Sequence, residues 1–243
     1  MTALTRDSIS LRGAGVVNID QPKAGVRFTL DSLLLADFCR IRPRDRILEL
    51  GAGAGIISLL LAKKFPKTQL VANEVEPVAY GLLCQNIATN GLGNRIVPVD
   101  RDLMHLNQEI APNSFDVIVA NPPYIRCGTG RKNPSAERQL ARQDQSAPIA
   151  GWLDLHEVLK NRGKYVLVFQ AGRAAELIAS LRHRSLEPKR MRFVHPSVQK
   201  PATVVLIEAV KGAGIGLEIL PPLIVHEQTG NYSEEMLQIY GTE

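Results

Sequence analysis

The 243-residue sequence predicts an α/β fold: a seven-stranded, mostly parallel sheet with helices on both faces, ending in an antiparallel hairpin. Three observations predict it. From Arg46 onward, short apolar runs alternate with helix-length segments, the rhythm of βαβ units. The runs are apolar at successive positions rather than at every second one, so both strand faces are buried, as in a parallel sheet. After Arg182, two strand candidates, Lys189–His195 and Thr203–Ala209, are joined by a Pro-containing link too short for a helical crossover. They must pair antiparallel or sit apart.

Taken in order, residues 1–40 contain one amphipathic stretch, Leu30–Phe38, expected as a helix near the open end of the sheet. Ile47–Leu50, Gln69–Glu74, Ile96–Val99, Phe115–Ala120 and Tyr165–Phe169 read as strands. Ile56–Lys64, Val78–Asn90, Pro148–Lys160 and Ala174–Arg182 read as helices between or after them. Residues 126–146 form a polar, basic insert after the fourth strand. In the Gly/Pro-punctuated extension 211–243, Tyr232-Ser233-Glu234-Glu235 reads as a capping turn for a last short helix. The whole is expected as one domain, with an N-terminal segment (1–40), a core (45–210) and the C-terminal extension (211–243).

Apolar content of 45% and charged content of 22% are ordinary for a soluble globular chain. The net charge of +5 leans mildly toward anionic partners. Cys39, Cys84 and Cys127 are scattered without CxxC spacing, so neither disulfides nor a metal site is expected. Met1–Leu11 lacks the layout of a signal peptide, and no run of eighteen apolar residues exists; the expected location is cytoplasmic.

Glu49-Leu50-Gly51-Ala52-Gly53-Ala54-Gly55 follows the first strong strand and opens an apolar helix. Glycines there permit a tight turn and close approach of a ligand to the backbone. With Ile at position 56 the dinucleotide spacing fails, and no Gly-Lys-Ser/Thr of a P-loop is present. The acid before the glycines would repel a pyrophosphate but suits a cationic or amine-bearing ligand. Glu74, twenty-three residues after Gly51 at the end of the second strand, is placed to take both hydroxyls of a ribose. Past the third strand, Asp102 or its rival Asp100 could accept from the adenine amino group of the same ligand.

At the end of the fourth strand stands Asn121-Pro122-Pro123-Tyr124. It offers an amide, rigid backbone carbonyls and an aromatic ring, which suit a planar amino group: acceptors for its two N–H bonds and a ring to stack on its plane. The insert beyond it carries Arg126, Arg131, Lys132, Arg138 and Arg142 against Glu137 and Asp144. It reads either as a phosphate-contacting rim or as ordinary solvated surface. A second basic stretch runs through Arg182, Arg184, Lys189, Arg190, Arg192 and Lys200. Trp152, in an apolar helical pattern, is expected in the core, and an aromatic content of 5% argues against an aromatic sheet-face RNA reader.

With these segments in hand, the chain resembles a Rossmann-like class I S-adenosylmethionine-dependent methyltransferase. More narrowly, it resembles the bacterial tRNA (adenine-N6)-methyltransferase family, which modifies the adenine beside the anticodon of a valine tRNA. Four segments, spanning about residues 20–241, carry the likeness: Gly25–Ser32, Glu49–Gly55 with Glu74, Asn121–Tyr124, and Gly230-Asn231-Tyr232-Ser233-Glu234-Glu235. The resemblance implies S-adenosyl-L-methionine as cofactor, with Thr29 and Asp31 facing it, and tRNA as partner. The chain departs at Ala141-Arg142-Gln143-Asp144, where the family often has Ala-Arg-His-Glu. Release-factor glutamine N5-methyltransferases share Asn-Pro-Pro-Tyr but usually carry a helical substrate domain ahead of the core, whereas 45 residues precede Arg46 here. A methyltransferase-like scaffold that binds RNA or a partner without catalysis is the alternative from another class.

Overall fold

Four apolar runs lie side by side as the centre of a parallel sheet. The structure, a computed structural model, describes residues 4–23, 28–123 and 149–241. Before the core come an antiparallel hairpin, β1 (Leu4–Leu11) and β2 (Gly15–Pro22), and helix α1 (Leu30–Phe38). The core runs β3 (Arg46–Leu50), α2 (Ile56–Lys64), β4 (Gln69–Asn73), α3 (Pro77–Thr89), β5 (Ile96–Val99), α4 (Leu103–Glu109) and β6 (Phe115–Ala120). After the insert come α5 (Ile149–Asp154), a 3₁₀ turn (Leu155–Val158), β7 (Leu159–Gln170), α6 (Ala174–His183), β8 (Leu186–His195) and β9 (Val204–Lys211). The C-terminal extension adds β10 (Glu218–Ile219), β11 (Leu223–Ile224) and α7 (Glu234–Tyr240).

The sheet order is β10-β8-β9-β7-β6-β3-β4-β5, with β11 also on β8. All pairs are parallel except β7–β9 and β8–β9, so the expected mostly parallel sheet with an antiparallel hairpin is present. Two short strands of the extension raise the count from the expected seven to nine among the described residues. Alternate residues serve two cores. Ile47, Leu70, Val117, Val119 and Val166 face α1, α2, α3 and the β1–β2 hairpin; Leu48, Leu50, Ile118, Ala120 and Leu167 face α5 and α6. That is the physical content of strands apolar at every position.

Three expectations needed correction. The helix foreseen over Pro148–Lys160 stops at Asp154, passes through the 3₁₀ turn and becomes strand at Leu159. Lys211 Nζ ends it by taking the carbonyls of His156, Glu157 and Leu159 at 2.9, 3.3 and 2.7 Å. The strand foreseen at Tyr165–Phe169 therefore starts six residues earlier, and its ladder to β6 is interrupted by a bulge in which Arg162 has φ 64°. Residues 1–40 carry the hairpin as well as the helix, and a short helix, α4, lies between β5 and β6. The last helix is as expected: Ser233 Oγ accepts from Met236 N at 3.3 Å and caps α7.

Candidate functional site

The C-terminal ends of β3, β4, β5 and β6 gather the candidate residues. In open α/β sheets this is where ligands bind, because helix N-termini and loops converge there. The β3–α2 turn bears three glycines in the left-handed region, Gly51 (φ 64°), Gly53 (φ 56°) and Gly55 (φ 94°), and each meets a different neighbour. A Cβ on Gly51 would lie 2.6 Å from the Trp152 ring, and one on Gly55 would lie 2.6 Å from Leu83 of α3. A Cβ on Gly53 would meet nothing within 4 Å. Two glycines thus let the loop sit down between α5 and α3, and the third leaves a bare stretch of backbone open to a ligand.

Glu74, directly after β4, holds this loop to its neighbours. Its Oε2 accepts from Gly53 N at 2.7 Å and its Oε1 from Glu76 N at 2.8 Å. Each carboxylate oxygen keeps capacity for one further hydrogen bond. Beside it Val75 exposes 55% of its surface, an apolar face next to an acceptor pair. Glu49 lies beneath the loop, buried, and takes a short hydrogen bond from Ser58 Oγ of α2. Burial pushes its carboxyl up to about 8, aided by the negative charge of Glu74 and opposed by the Ser58 bonds. Past β5, the Asp100 carboxylate is engaged by Arg101 Nη1 at 2.7 Å, and Arg101 also reaches Glu109 at 2.6 Å. Asp102 starts α4, its carbonyl accepting from His105 N and Leu106 N. The side chain of Asn73 fixes this turn, accepting from Arg101 N at 3.1 Å and donating to Arg101 O at 2.9 Å.

At the end of β6, Asn121 stands next to the glycine loop, since Leu50 pairs with Ala120 in the ladder. Its Nδ2 donates to Ser32 Oγ at 3.1 Å. With Nδ2 so engaged, Oδ1 is left as the acceptor of the amide. Ser32 and Asp31, both buried, occupy the first turn of α1, and Thr29 precedes it without a side-chain cap bond. The N-terminal segment thus touches the Asn-Pro-Pro turn directly. Pro122 is buried and Pro123 exposed. Tyr124 and the insert residues Arg126, Arg131, Lys132, Arg138 and Arg142 lie outside the described residues.

Sequence reasoning missed Ser32, Asn73 and Val75 as parts of this site. Ser32 and Asn73 act through bonds to partners far along the chain, and Val75 looks like any strand-end residue. Most of the second basic stretch is engaged within the chain: Arg190 is buried against Phe38, Arg192 pairs with Glu235, Arg184 with Asp154 and, at the surface, Arg182 with Glu187. Lys189 donates to Gly214 O, and Lys200 forms no ion pair among the described residues. No cluster of three or more His, Cys, Asp or Glu that could hold a metal occurs among the described residues.

The methyltransferase small domain family matches residues 24–176, which include the glycine loop, Glu74 and Asn121. The chain belongs to that family. A relative from Vibrio campbellii, a tRNA1(Val) (adenine(37)-N6)-methyltransferase, is 27% identical over 218 residues, covering 89% of this chain and 88% of its own length. Among solved structures, a predicted O-methyltransferase from Agrobacterium tumefaciens superimposes with a TM-score of 0.70 at 20% identity, over 88% of this chain and 96% of that one. A 16S rRNA N2-G1207 methyltransferase from T. thermophilus, solved with AdoMet and guanosine, gives 0.60 at 18% identity, over 87% of this chain and 51% of that one. The expected class I methyltransferase fold is therefore present, and the donor expected for it is S-adenosyl-L-methionine. Its site fits that donor: a bare glycine backbone, a strand-end carboxylate with spare acceptor capacity, and a buried carboxyl below the loop.

Proposed function

We propose that this enzyme methylates the N6 amino group of an adenine in tRNA. One observation carries the reading. The Asn121 amide, oriented by Ser32, stands beside the glycine loop in register across β3 and β6. The relatives' name supports adenine in tRNA as the substrate.

The donor supplies an electrophilic methyl group on a sulfonium. In our reading Glu74 takes its ribose hydroxyls, Asp102 its adenine amino group, and Gly51, Gly53 and Gly55 the backbone cradle. Glu49 balances its positive charge, while Thr29 and Asp31 close the side toward α1. On the acceptor side, Asn121 Oδ1 and the Pro122 carbonyl each accept one amino hydrogen. This favours a pyramidal nitrogen with its lone pair aimed along one direction, where an exocyclic aromatic amine otherwise delocalises it into the ring. Pro123 stiffens the turn, and Tyr124 stacks on the base, worth roughly 1–3 kcal/mol. Positioning supplies most of the rate. No general base is required beforehand, because the nitrogen becomes acidic once it carries the methyl and releases its proton to water. Arg126, Arg131, Lys132, Arg138 and Arg142 would meet tRNA phosphates.

The test is transfer of a labelled methyl group to total tRNA, with release factor as the competing acceptor, followed by mass analysis of the product. N6-methyladenosine in tRNA is expected; label on a release-factor glutamine would overturn the substrate. Asn121→Ala should leave donor affinity intact and lower kcat by roughly 10²–10³-fold, as for loss of one transition-state hydrogen bond. Near-normal turnover would sink the mechanism.

A further inference from the structure

Gly230-Asn231-Tyr232-Ser233 has no part in the donor or acceptor site, and its place in the fold suggests another use. The segment builds a tight turn. Gly230 has φ 85° and its N–H donates to Glu227 O at 3.0 Å, Asn231 O accepts from Glu227 N at 2.9 Å, and Ser233 Oγ donates to Ile224 O at 2.6 Å. The Tyr232 ring lies nearly parallel on His226, centroids 5.0 Å apart and planes 11° apart, with Tyr240 behind it at 5.4 Å. His226 N in turn donates to Pro196 O at 3.0 Å, so this turn is tied to the link between β8 and β9.

Between the link and the turn lies a groove of about 480 Å³ whose walls include Ser197, Val198, Lys200, His226, Gln228 and Gly230. β8 runs parallel to β6, since β9 is antiparallel to both β7 and β8. The groove therefore opens at the same end of the sheet as Asn121. Three strand spacings, roughly 14 Å across the sheet, separate β8 from β6.

The chemistry of its walls is mixed in a specific way. Val198, 70% exposed, and the His226 ring offer apolar and aromatic surface to a flat group. Lys200 is an exposed cation with no ion pair among the described residues, whereas Arg182, Arg184, Arg190 and Arg192 of the same basic stretch are each paired with an acid. Gln199, Gln228 and Ser197 supply donors and acceptors, and Glu227, the one acid on the walls, supplies an acceptor for amino hydrogens. His226 Nδ1 is buried without a partner among the described residues, so its other ring nitrogen is the one that can reach outward. The walls are stiff: Pro196 and Pro201 flank the link, which closes on itself through Lys200 N to Ser197 O at 3.0 Å. A stacking face, a hydrogen-bonding edge and one free cation match a nucleotide: base, base edge and phosphate.

We propose that this groove seats a nucleotide of the substrate RNA that neighbours the target adenine, and so sets which adenine reaches Asn121. The inference rests on the RNA reading above. Its test is steady-state methylation of a tRNA transcript by Lys200→Glu and Val198→Asp, both exposed positions at which melting temperature should not change. Each should raise KM for tRNA roughly tenfold while kcat and the affinity for S-adenosylmethionine stay at wild-type values. Lys200→Glu should also flatten the slope of log K against log salt by about 0.7, the share of one single-strand phosphate. If wild type methylates tRNA and both variants keep its KM, the groove assignment alone is overturned. A loss of kcat or of donor affinity would instead make the link part of the catalytic frame and overturn it too. Should wild-type protein fail to methylate tRNA, the substrate reading falls and the groove assignment falls with it.

Discussion

Glu49 is the residue whose chemistry changes most with its surroundings. Buried under the glycine loop and bonded to Ser58, its carboxyl titrates at about 8 instead of near the usual carboxylate value. The folded protein thus holds a proton that the unfolded chain releases around pH 4–5. Its contribution to stability is complete below that range and is lost as pH climbs toward 8. A cationic donor works the other way, because it interacts favourably with the ionised form. Two outcomes follow for Glu49→Gln, which keeps an acceptor for Ser58. The wild-type melting temperature should fall between pH 5 and 8 by an amount the variant does not show. Donor affinity in wild type should rise over the same interval, while in the variant it stays flat; parallel pH profiles for the two proteins would refute the assignment. Glu49, Glu74 and Asn121 were legible as candidate site residues because each stands at or near the end of an apolar run, where a polar group needs a reason. Ser32 was not legible: its partner is Asn121, 89 residues away. No local pattern marks a hydroxyl that orients a distant amide.

The glycine loop shows how much an element can hide behind one motif. Read as sequence, Gly51, Gly53 and Gly55 are three equivalent permissive positions. In the fold Gly51 yields to Trp152, Gly55 yields to Leu83, and Gly53 alone faces open space. Gly51→Ala must therefore push a buried indole as well as strain a left-handed backbone, at a cost of about 2–4 kcal/mol. In a Trp152→Leu background the ring is gone and the same substitution should cost about 1–2 kcal/mol less, a coupling readable in a thermal or denaturant double-mutant cycle. Gly53→Ala should show backbone strain without that coupling, together with weaker donor binding. Additivity of Gly51→Ala and Trp152→Leu would separate the loop from the indole. Strands β3 to β6 and helices α2 and α3 were readable to within a residue or two, since their patterns are strong and local. The stretch from Pro148 to Lys160 was not, because Lys211, distant in sequence, takes the carbonyls that end its helical turn.

On the scale of the whole molecule, the N-terminal hairpin, which no apolar run announced, acts as a brace for the donor loop. β1 and β2 send Leu11, Val17 and Ile19 into the core, and a buried polar attachment joins them to Asn86 of α3. Fully buried, Asn86 accepts from Asp20 N at 2.8 Å and donates to Asp20 O and Ala54 O, both at 2.9 Å. One amide thus joins the hairpin, a core helix and the turn between Gly53 and Gly55. On the outer side Arg6 pairs with the same Asp20 at 2.7 Å, but its guanidinium is 61% exposed. The two attachments differ in what their loss leaves behind. Asn86→Leu keeps the volume and strands a backbone N–H and two carbonyls away from water, which costs about 1–3 kcal/mol for each group not resolvated. Arg6→Ala removes a solvent-screened surface pair, which contributes little to stability. We expect Asn86→Leu to lose about 3 kcal/mol of stability and, through Ala54, to weaken S-adenosylmethionine binding while the acceptor turn at Asn121 keeps its geometry. Arg6→Ala should leave both quantities near wild type. Denaturant unfolding and calorimetric titration with the donor separate the outcomes. If Asn86→Leu lowers stability yet binds the donor as tightly as wild type, the hairpin stabilises the fold but does not shape the loop.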